Sequence, residues 1–447
     1  MPNILSKDGL YAYLKACPES SKYWVACSGG MDSCVLLHLF YLNRSRIEQD
    51  IEIIYVNHQL QKQNDTWEVF CNKLCQQYNL KFRSLRITED CPKEMSIEEW
   101  ARDQRYSLIA EKINPNDILF TAHHLDDQIE TFFLHALRGS GPRGLVAMPA
   151  VKPFAKGYHV RPLLDCARSE LQHYAEQNQL DWHDDPSNED LRFNRNYLRN
   201  KILPAIQERW PSYRSSILRM VQHQQEVKLL LDEVAEEDLG KSRIDNNRGI
   251  DLDRIQYLSA ARKKNLIAYW LKSRGLNLPG SKHMNEIIAS VIEASEDKVP
   301  CVNWNGVEIR RYRNILYAIS PLSVHEASEK LQWNLQQTIK LLDDCLQASS
   351  TKGKGISKKY IMNDVVEIRY RQGGEKIHPC KQNFTRTVKQ LFQEHGVLPW
   401  YRDRIPLIYV EEELAQIPGI CIDEKFCAKN DEAAWDIKWT GYEKAIQ

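Results

Sequence analysis

The stretch that decides the fold is residues 24–33, WVACSGGMDS, which runs directly into a helix-like apolar segment, SCVLLHLF, at 33–40. An apolar run that stops at two glycines before a helix is typical of a phosphate-binding loop. Glycines let backbone N–H groups approach an anion, and the N-terminus of the helix carries partial positive charge. A kinase-type loop has lysine after its last glycine, whereas Met31 and Asp32 stand here. The sequence therefore predicts a phosphate loop in which a carboxylate replaces the lysine.

The composition of the loop narrows its chemistry. Backbone amides and two hydroxyls can cradle a pyrophosphate, and a carboxylate can hold the Mg²⁺ that neutralises it. Such a loop favours departure of pyrophosphate after attack at the α-phosphate of ATP. The ATP-binding residues predicted in the loop are Ser28, Gly29, Gly30, Met31, Asp32 and Ser33, with Asp32 also expected to be catalytic and to bind Mg²⁺.

Strand-like and helix-like segments alternate from about residue 20 to 125. The strand candidates are YWVAC, IEIIYVN, KFRSLRI and DILFTA, and the helical segments include WEVFCNKLCQQYN and SIEEWARDQRYSLIAEKI. This alternation predicts βαβ units and a parallel sheet with helices on both faces. Ligands bind at the carboxyl ends of the strands in such sheets, and SGGMDS, NHQLQ and HHLDDQ are expected there.

Later segments predict two further domains, so the fold class is α/β with additions. We expect a Rossmann-like domain at 1–214, a small helical domain at 215–320 and an α+β domain at 359–447. A hairpin should close the helical domain at Asn305-Gly306, because this pair suits positive φ. The polar stretch LQASSTKGKGISKK, in a linker at 321–358, is interpreted as flexible, and the final acidic residues as a solvated tail.

Charge, apolar runs and cysteine spacing limit the partners and the cell compartment that this sequence suggests. Sixty basic and sixty acidic residues give no net charge, so a nucleic-acid surface requires local segregation. Such segregation exists, with a net charge of +6 over residues 192–220 and +7 over residues 352–404. No export signal or membrane-length apolar run is found, and the twelve cysteines include no C-x-x-C pair. We expect a cytoplasmic protein with reduced thiols and no membrane partner.

A second cluster of functional candidates is TAHHLDDQIETFFLHALRGSGPRGL, which starts at residue 121. A helix that begins near Leu125 would carry Asp126, Asp127 and Glu130 at spacings of three and four, on one face near its N-terminus. Such a face could bind an amine or a metal. Two alternatives stay open: a solvated acidic face with two capping histidines, and a metal site that also uses His123 and His124.

A third cluster combines DDPSN with an arginine-rich stretch, RFNRNYLRNK. The spacing of Arg192, Arg195 and Arg199 predicts one helical stripe of guanidinium groups, which suits the phosphates of a nucleic acid. The alternative is a solvated basic helix.

Taken together, these motifs resemble the tRNA(Ile)-lysidine synthetase family of the PP-loop ATP pyrophosphatases. The resemblance extends over nearly the whole chain and includes VNHQL, RPLLD, RQGGE and VKQLFQEHGVLPWYRDRIPLIY. One departure is Gln59, where the family usually has glycine.

The resemblance implies a reaction in which ATP adenylates the wobble cytidine of a CAU-anticodon isoleucine tRNA and free L-lysine then displaces AMP. It implies that Asn57 and His58 also bind ATP, and that Arg192, Arg195, Arg199, Arg371 and Arg402 bind tRNA. Asp126, Asp127 and Glu130 would hold the lysine, one of them as general base.

Two rival functions remain at this point. A tRNA thiolase of the same superfamily generally uses a C-x-x-C pair, which this sequence lacks. A non-catalytic RNA-binding protein would have little chemical reason to keep Ser28, Asp32, Asp127 and Glu130 together.

Overall fold

The structure, a computed structural model, describes residues 3–59, 64–92, 96–244, 248–294, 299–326, 328, 330–342, 344–380, 382 and 384–445. The chain divides into two compact units, Met1–Leu231 and Asp232–Gln447. The domain boundaries expected at residues 214 and 320 stay predictions.

The N-terminal unit is built on a mostly parallel sheet. Its strands are β1 (Lys22–Ala26), β2 (Asp50–Asn57), β3 (Lys81–Arg86), β4 (Ile118–Phe120), β5 (Val151–Phe154) and β6 (Gly157–Val160), in the order β3-β2-β1-β4-β6-β5. Neighbouring strands pair in parallel, except that β5 and β6 are antiparallel. The predicted parallel sheet is confirmed, and the β5–β6 hairpin extends it.

Helices cover both faces of this sheet. They are α1 (Lys7–Lys15), α2 (Met31–Asn43), α3 (Asn64–Gln77), α4 (Ile97–Ala110), α5 (Leu125–Leu137), α6 (Pro142–Leu145) and α7 (Arg168–Gln177). Side chains alternate between the two faces of a strand, so Val25 packs in one core cluster with Leu36 of α2, whereas Trp24 packs in another with Trp100 of α4. Because α2 is apolar on nearly all sides, it is almost wholly buried next to the phosphate loop.

A helical segment with a π turn follows the sheet. Helix α8 (Asn194–Tyr197) continues through a π-helical turn at Leu198–Ile202 into α9 (Leu203–Arg209). Pro204 explains the turn, because proline lacks an N–H and its ring clashes with the carbonyl four residues before it. Instead, the N–H of Leu203 reaches back to the carbonyl of Leu198.

The longest helix is α10 (Tyr213–Ser242), and it confirms the long-helix spacing predicted from residue 215. Over the described part of the chain, no helix combines the length and apolarity that crossing a bilayer requires.

The first part of the C-terminal unit is helical with a small sheet. Helices α11 (Leu252–Ile255), α12 (Ala260–Ser273) and α13 (Ser281–Glu286), with a π turn at Ile287–Ile292, pack around the fully buried Trp270. The strands β7 (Arg243–Ile244), β8 (Gly249–Asp251), β9 (Cys301–Trp304), β10 (Val307–Tyr312) and β11 (Ile315–Ile319) form a sheet in the order β7-β8-β11-β10-β9. The predicted hairpin turn is confirmed, with φ of 37° at Asn305 and 77° at Gly306.

In the described residues of the rest of this unit, strands alternate with two α-helices and several 3₁₀ turns, which agrees with the α+β class expected. The elements are β12 (Leu331–Asn334), β13 (Ile339–Lys340), β14 (Cys345–Lys352), β15 (Ile356–Ser357), β16 (Val365–Arg369), β17 (Lys376–Ile377), β18 (Arg386–Thr387), α14 (Val388–Glu394), β19 (Leu407–Val410), β20 (Glu413–Ile417), β21 (Cys421–Ile422), β22 (Ala433–Trp439) and α15 (Tyr442–Ala445). The strands form sheets in the orders β12-β16-β19-β20-β21 and β13-β14-β22-β15, together with the pair β17-β18.

The predicted flexible linker is wrong at LQASSTKGKGISKK. This stretch supplies β14 and β15, which both pair antiparallel with β22. Its two glycines are needed for close approach: a Cβ at Gly355 would lie 2.1 Å from the carbonyl oxygen of Trp435, and one at Gly353 would lie 1.8 Å from that of Asn430. Polar composition misled the prediction, because β14 buries few of its side chains.

The predicted solvated tail is also wrong. Strand β22 lies between β14 and β15, and its Trp435, Ile437 and Trp439 are buried in the core of this region. The alternation of these apolar residues with Asp436 and Lys438 is the period of two expected of a strand. The acidic composition of the surrounding residues concealed that pattern.

Candidate active site

The phosphate loop joins β1 to α2 as predicted. Gly29 has a φ of +83°, a conformation that glycine adopts at little cost, and a Cβ there would lie 3.2 Å from Sγ of Cys71. Ser33 closes the loop: its Oγ accepts a hydrogen bond from the N–H of Ser28 at 3.1 Å and donates one to the carbonyl of Gly30 at 2.8 Å. The hydroxyl of Ser33 is therefore committed to the loop, whereas Ser28 is exposed.

Asp32 lies in the first turn of α2 and has one unpartnered oxygen. Its Oδ1 is buried and has no hydrogen-bond partner among the described residues, and its Oδ2 lies 3.5 Å from Nε2 of His124. A buried carboxylate oxygen without a partner is costly unless a ligand satisfies it. This arrangement fits a site for a hard cation such as Mg²⁺, which prefers carboxylate oxygen.

His124 connects the phosphate loop to the carboxylate cluster. It is the N-cap of α5. Its ring Nδ1 accepts a hydrogen bond from the backbone N–H of Asp127 at 3.4 Å, and its backbone N–H donates to the Asp127 carboxylate at 3.0 Å. Burial lowers the pKa of His124, but the carboxylates of Asp32 and Asp127 outweigh burial and raise it above the ordinary value. His124 therefore caps the helix, as the alternative of capping histidines predicted. The sequence did not predict its contact with Asp32.

Asp127 and Glu130 share two arginines. Arg195 donates to Glu130 at 2.6 Å and to Asp127 at 2.8 Å, and Arg199 donates to Glu130 at 2.6 and 3.0 Å and to Asp127 at 3.3 Å. The Glu130 side chain is completely buried. Burial raises the pKa of Asp127, but His124 and Arg195 outweigh burial, so the pKa falls to about 2. Both carboxylates are therefore paired with the same two guanidinium groups.

Asp126 faces a different set of partners. Its Oδ1 accepts from Nε of Arg214 at 2.8 Å, and its Oδ2 accepts from the backbone N–H of Arg168, the first residue of α7, at 2.9 Å. Although burial raises the pKa of Asp126, these two hydrogen bonds lower it further than burial raises it. The helix start predicted near Leu125 is confirmed, but the carboxylates separate into the Asp127–Glu130 pair and Asp126.

The single arginine stripe is corrected by the structure. Arg192 precedes α8, its side chain is 87% exposed, and its guanidinium donates to Asp190. Arg195 and Arg199 instead turn inward to the Asp127–Glu130 pair, the second of them from the π turn. The stripe fails because Arg192 lies before the helix, which starts only at Asn194, while Arg195 and Arg199 share a face that points inward.

The second strand end also lies at this edge of the sheet, although the side chain of Asn57 is occupied. Its amide donates to Asp65 and Glu68 of α3, each at 3.0 Å, and its Oδ1 accepts from the N–H of Gln59. Gln59 has a φ of 52°, which explains why glycine suits this position. Residues 60 and 61 of the NHQLQ cluster lie outside the described residues.

His58, next to Asn57, offers a free acceptor or donor. Its Nδ1 is buried without a hydrogen-bond partner in the described residues. Burial, and then the charge of Arg105, lower the pKa of His58 to about 4, so its ring is neutral at physiological pH. A neutral ring with an unsatisfied nitrogen is suited to a nucleotide.

The residue before DDPSN contacts the phosphate loop, which the sequence did not predict. The N–H of His183 donates to the carbonyl of Gly29 at 2.9 Å, and its ring lies 4.4 Å from that of Phe70, centroid to centroid. A 3₁₀ turn follows at Pro186–Glu189. The loop from α7 to α8 therefore borders the same site.

Arg371 and Arg402 have intramolecular partners in the C-terminal unit. Arg371 donates to Asp403 at 3.0 Å, and Arg402 donates to the carbonyl of Val397 at 3.0 Å and to the hydroxyl of Tyr312 at 2.9 Å. Arg402 thus fixes the hairpin of β10 to the segment around β19 within this unit.

The metal-site alternative with His123, His124 and Asp127 gains no support. Across the described residues, no group of three or more His, Cys, Asp or Glu side chains has the arrangement of a metal site. All twelve cysteines are free thiols.

Family models match three parts of the chain. A PP-loop domain matches residues 6–206, a TilS substrate binding domain matches 250–317, and a TilS substrate C-terminal domain matches 366–439. The order of these matches follows the order of the two units along the chain.

Curated relatives match the chain from end to end. The tRNA(Ile)-lysidine synthase of Coxiella burnetii is 36% identical over 97% of this chain and 97% of its own, and that of Methylococcus capsulatus is 35% identical over 93% and 94%. Among solved structures, a U34-tRNA thiolase from Methanococcus maripaludis matches 46% of this chain and 74% of its own at 19% identity, with a TM-score of 0.39, too distant to bear on function. Because these relatives are 36% and 35% identical over 97% and 93% of its length, this chain belongs to the tRNA(Ile)-lysidine synthase family.

Proposed function

We propose that this protein uses ATP to join L-lysine to C2 of the wobble cytidine of the CAU-anticodon isoleucine tRNA, with release of AMP and pyrophosphate. With the modified base, the anticodon reads the codon AUA instead of AUG, and the tRNA accepts isoleucine instead of methionine. The observation that carries this proposal is His124, which contacts Asp32 of the phosphate loop and Asp127 of the carboxylate pair at 3.5 and 3.6 Å. One histidine thus connects the ATP site to a site for an amine.

In the first step, the C2 oxygen of cytidine attacks the α-phosphate, and pyrophosphate leaves. The backbone around Gly29 and Gly30 and the N-terminus of α2 bind the departing anion, with the exposed residue Ser28 beside them. Asp32 would hold Mg²⁺ through its unpartnered oxygen, and the ion, when bound, neutralises the phosphates. The free Nδ1 of His58 contacts the nucleotide.

In the second step, the ε-amine of lysine attacks C2, and AMP leaves. Lysine with a pKa of about 10.4 is deprotonated to only about 0.04% at pH 7, a deficit of about 4.6 kcal/mol that the site must offset. Asp127 and Glu130 bind the ammonium group, which replaces one of the two guanidinium groups and so preserves the charge balance. The ammonium can then pass its proton to the adjacent carboxylate, which acts as the general base. Asp126, held by Arg214, orients α5.

Surfaces outside the site bind the tRNA. Arg192 is the exposed arginine of its segment and suits a phosphate. The helical and C-terminal parts of the chain carry further basic residues, such as those of 352–404, and bind the body of the tRNA. Such a reaction takes place in the cytoplasm, where ATP and tRNA are available.

The order of the two steps gives a direct test. Pyrophosphate release should require ATP and the isoleucine tRNA but not lysine, because cytidine is the group that becomes adenylated. Release that requires lysine but not tRNA would mean that the amino acid is activated instead, and would contradict the proposal. A filter assay for tRNA binding, run in parallel, separates a failure of chemistry from a failure of binding.

A further inference from the structure

A chain of buried polar side chains runs from the interior of the sheet to the first histidine of the HHLDDQ cluster. It starts at Arg161, passes through His159 and Thr121, and ends at His123. Arg161, His159 and Thr121 are 3%, 0% and 8% exposed, so water does not compete for their hydrogen bonds. The sequence analysis named His123 only as a possible cap or metal ligand, and the reaction described above does not use it.

Strand pairing brings these residues together. His159 lies in β6, which pairs in parallel with β4, so that Phe120 is the partner of Val160. The N–H of Thr121 extends this pairing by donating to the carbonyl of Val160 at 3.1 Å. The Thr121 hydroxyl consequently lies between two imidazole rings, 2.8 Å from Nε2 of His159 and 2.7 Å from Nδ1 of His123.

The direction of each hydrogen bond follows from Arg161. A guanidinium group can only donate, and Nη2 of Arg161 lies 3.2 Å from Nδ1 of His159, so that nitrogen must accept. Burial, and then the charge of Arg161, lower the pKa of His159 to about 2, so the ring is neutral and carries its proton on Nε2. The Nε2–H group donates to Thr121, whose single hydroxyl proton is left to donate to Nδ1 of His123.

We infer that this row of hydrogen bonds holds His123 in one tautomer, with Nδ1 as acceptor and the proton on Nε2. His123 is then a fixed hydrogen-bond donor to an oxygen of the bound nucleotide, and it does not accept a proton in the reaction. Arg161, His159 and Thr121 are positioning residues that act through His123. Burial lowers the pKa of His123 to about 3, which agrees with a ring that stays neutral.

The donor belongs to the same edge of the sheet as the catalytic groups. His123 directly precedes the N-cap of α5, and the charges of Asp127 and Arg195 act on its ring. Within the described residues, its only hydrogen bond is the one from Thr121, so Nε2 keeps its proton for a substrate. A neutral N–H group at this edge can stabilise negative charge on a phosphate or base oxygen without repelling the lysine ammonium.

The tautomer can be measured on the full-length protein with ¹⁵N-labelled histidine and no ligand. Two-bond ¹⁵N–¹H correlation spectra, assigned with His123→Gln, should show His123 with an unprotonated Nδ1 and a protonated Nε2. Thr121→Val, nearly isosteric, should give a mixture of both tautomers, and Thr121→Ser should restore the single form. Thr66→Val, at an exposed position of α3, is the matched control and should leave the spectrum unchanged. A protonated Nδ1 in the wild type, or a Thr121→Val spectrum identical to it, would overturn the inference.

A kinetic comparison tests the role of the donor and rests on the proposed function. His123→Gln keeps an N–H donor, whereas His123→Leu does not. The Leu variant should lose about 100-fold in kcat for lysine transfer, with KM for lysine changed little, and the Gln variant should retain most of the activity. Equal loss in both variants would mean that an N–H donor is not what His123 supplies, and would contradict the assignment. If the wild type transfers no lysine, the proposed function fails while the tautomer measurement still decides the chain.

Discussion

At the scale of single residues, Asp127 makes the stability of the fold depend on pH. Its pKa is lowered from 3.8 to about 2 in the folded protein, so its charged form stabilises the fold above the unfolded pKa of about 4, and this contribution is lost as the pH falls toward 2. The full contribution is about 2–3 kcal/mol, and about half of it should be lost by pH 3. The physical cause is the charge of His124, and then that of Arg195, which together keep the carboxylate charged despite burial.

The measurement compares urea unfolding of the wild type and Asp127→Asn at pH 6, 4 and 3. The difference in free energy of unfolding should shrink as the pH falls, and Asp8→Asn, with an 83% exposed side chain, should show no comparable change. A difference that stays constant from pH 6 to pH 3 would mean that Asp127 is not held as a buried ion.

Asp32 is the residue on which the first step depends. Asp32→Asn keeps the shape of the side chain but removes its charge, so it should slow pyrophosphate release by about 100-fold or more while tRNA binding stays nearly unchanged. Asp8→Asn again serves as control. Undiminished pyrophosphate release in Asp32→Asn would remove this carboxylate from the adenylation step.

At the scale of elements, the turn between β14 and β15 gives a clean comparison. Gly355 and Gly373 have nearly equal φ of +104° and +105°, but a Cβ at Gly355 would lie 2.1 Å from the carbonyl oxygen of Trp435, whereas Gly373 faces open space. Alanine at either position costs about 1–3 kcal/mol for the backbone conformation, and only Gly355→Ala must also displace β22.

Urea unfolding with native-state hydrogen exchange of the β22 amides should therefore show Gly355→Ala to be less stable than Gly373→Ala by at least about 2 kcal/mol. Equal stability of the two variants would mean that the strand pairing around β22 adjusts freely, contrary to the buried packing of Trp435.

Elements also show how far the sequence can predict this structure. The strand–loop–helix at WVACSGGMDS, the start of α5 and the turn at Asn305-Gly306 were predictable because local residue types dictate them. The inward turn of Arg195 and Arg199 was not, since it depends on their pairing with carboxylates of α5 that are distant in the sequence. Strands β14 and β22 were missed because long-range pairing, not local propensity, stabilises them.

The sequence could predict the residue types of the candidate site, but only some of the contacts between them. Spacing brought the carboxylates of α5 to one helix end, but the contact between His124 and Asp32 depends on β1 and β4 being neighbours in the sheet. Likewise, the row of hydrogen bonds from Arg161 to His123 depends on the register of β4 with β6, which no local sequence pattern contains.

At the scale of the whole molecule, tRNA binding should depend on salt through exposed basic residues. Arg192→Ala should lower the slope of log K against log salt by about one unit, because one phosphate contact is lost, and Arg192→Lys should keep the slope. Filter binding of the isoleucine tRNA at several salt concentrations measures it. An Arg192→Ala slope equal to that of the wild type would leave Arg192 as a solvated residue paired with Asp190.

The central claim is tested most directly by following labelled lysine into tRNA. Purified protein, ATP and labelled L-lysine should transfer about one lysine to an isoleucine tRNA with a CAU anticodon, and none to the same tRNA with uridine at the wobble position. Glu130→Ala should abolish this transfer while tRNA-dependent pyrophosphate release continues. Pyrophosphate release by the wild type without lysine in the tRNA, or labelling that ignores the wobble base, would contradict the account.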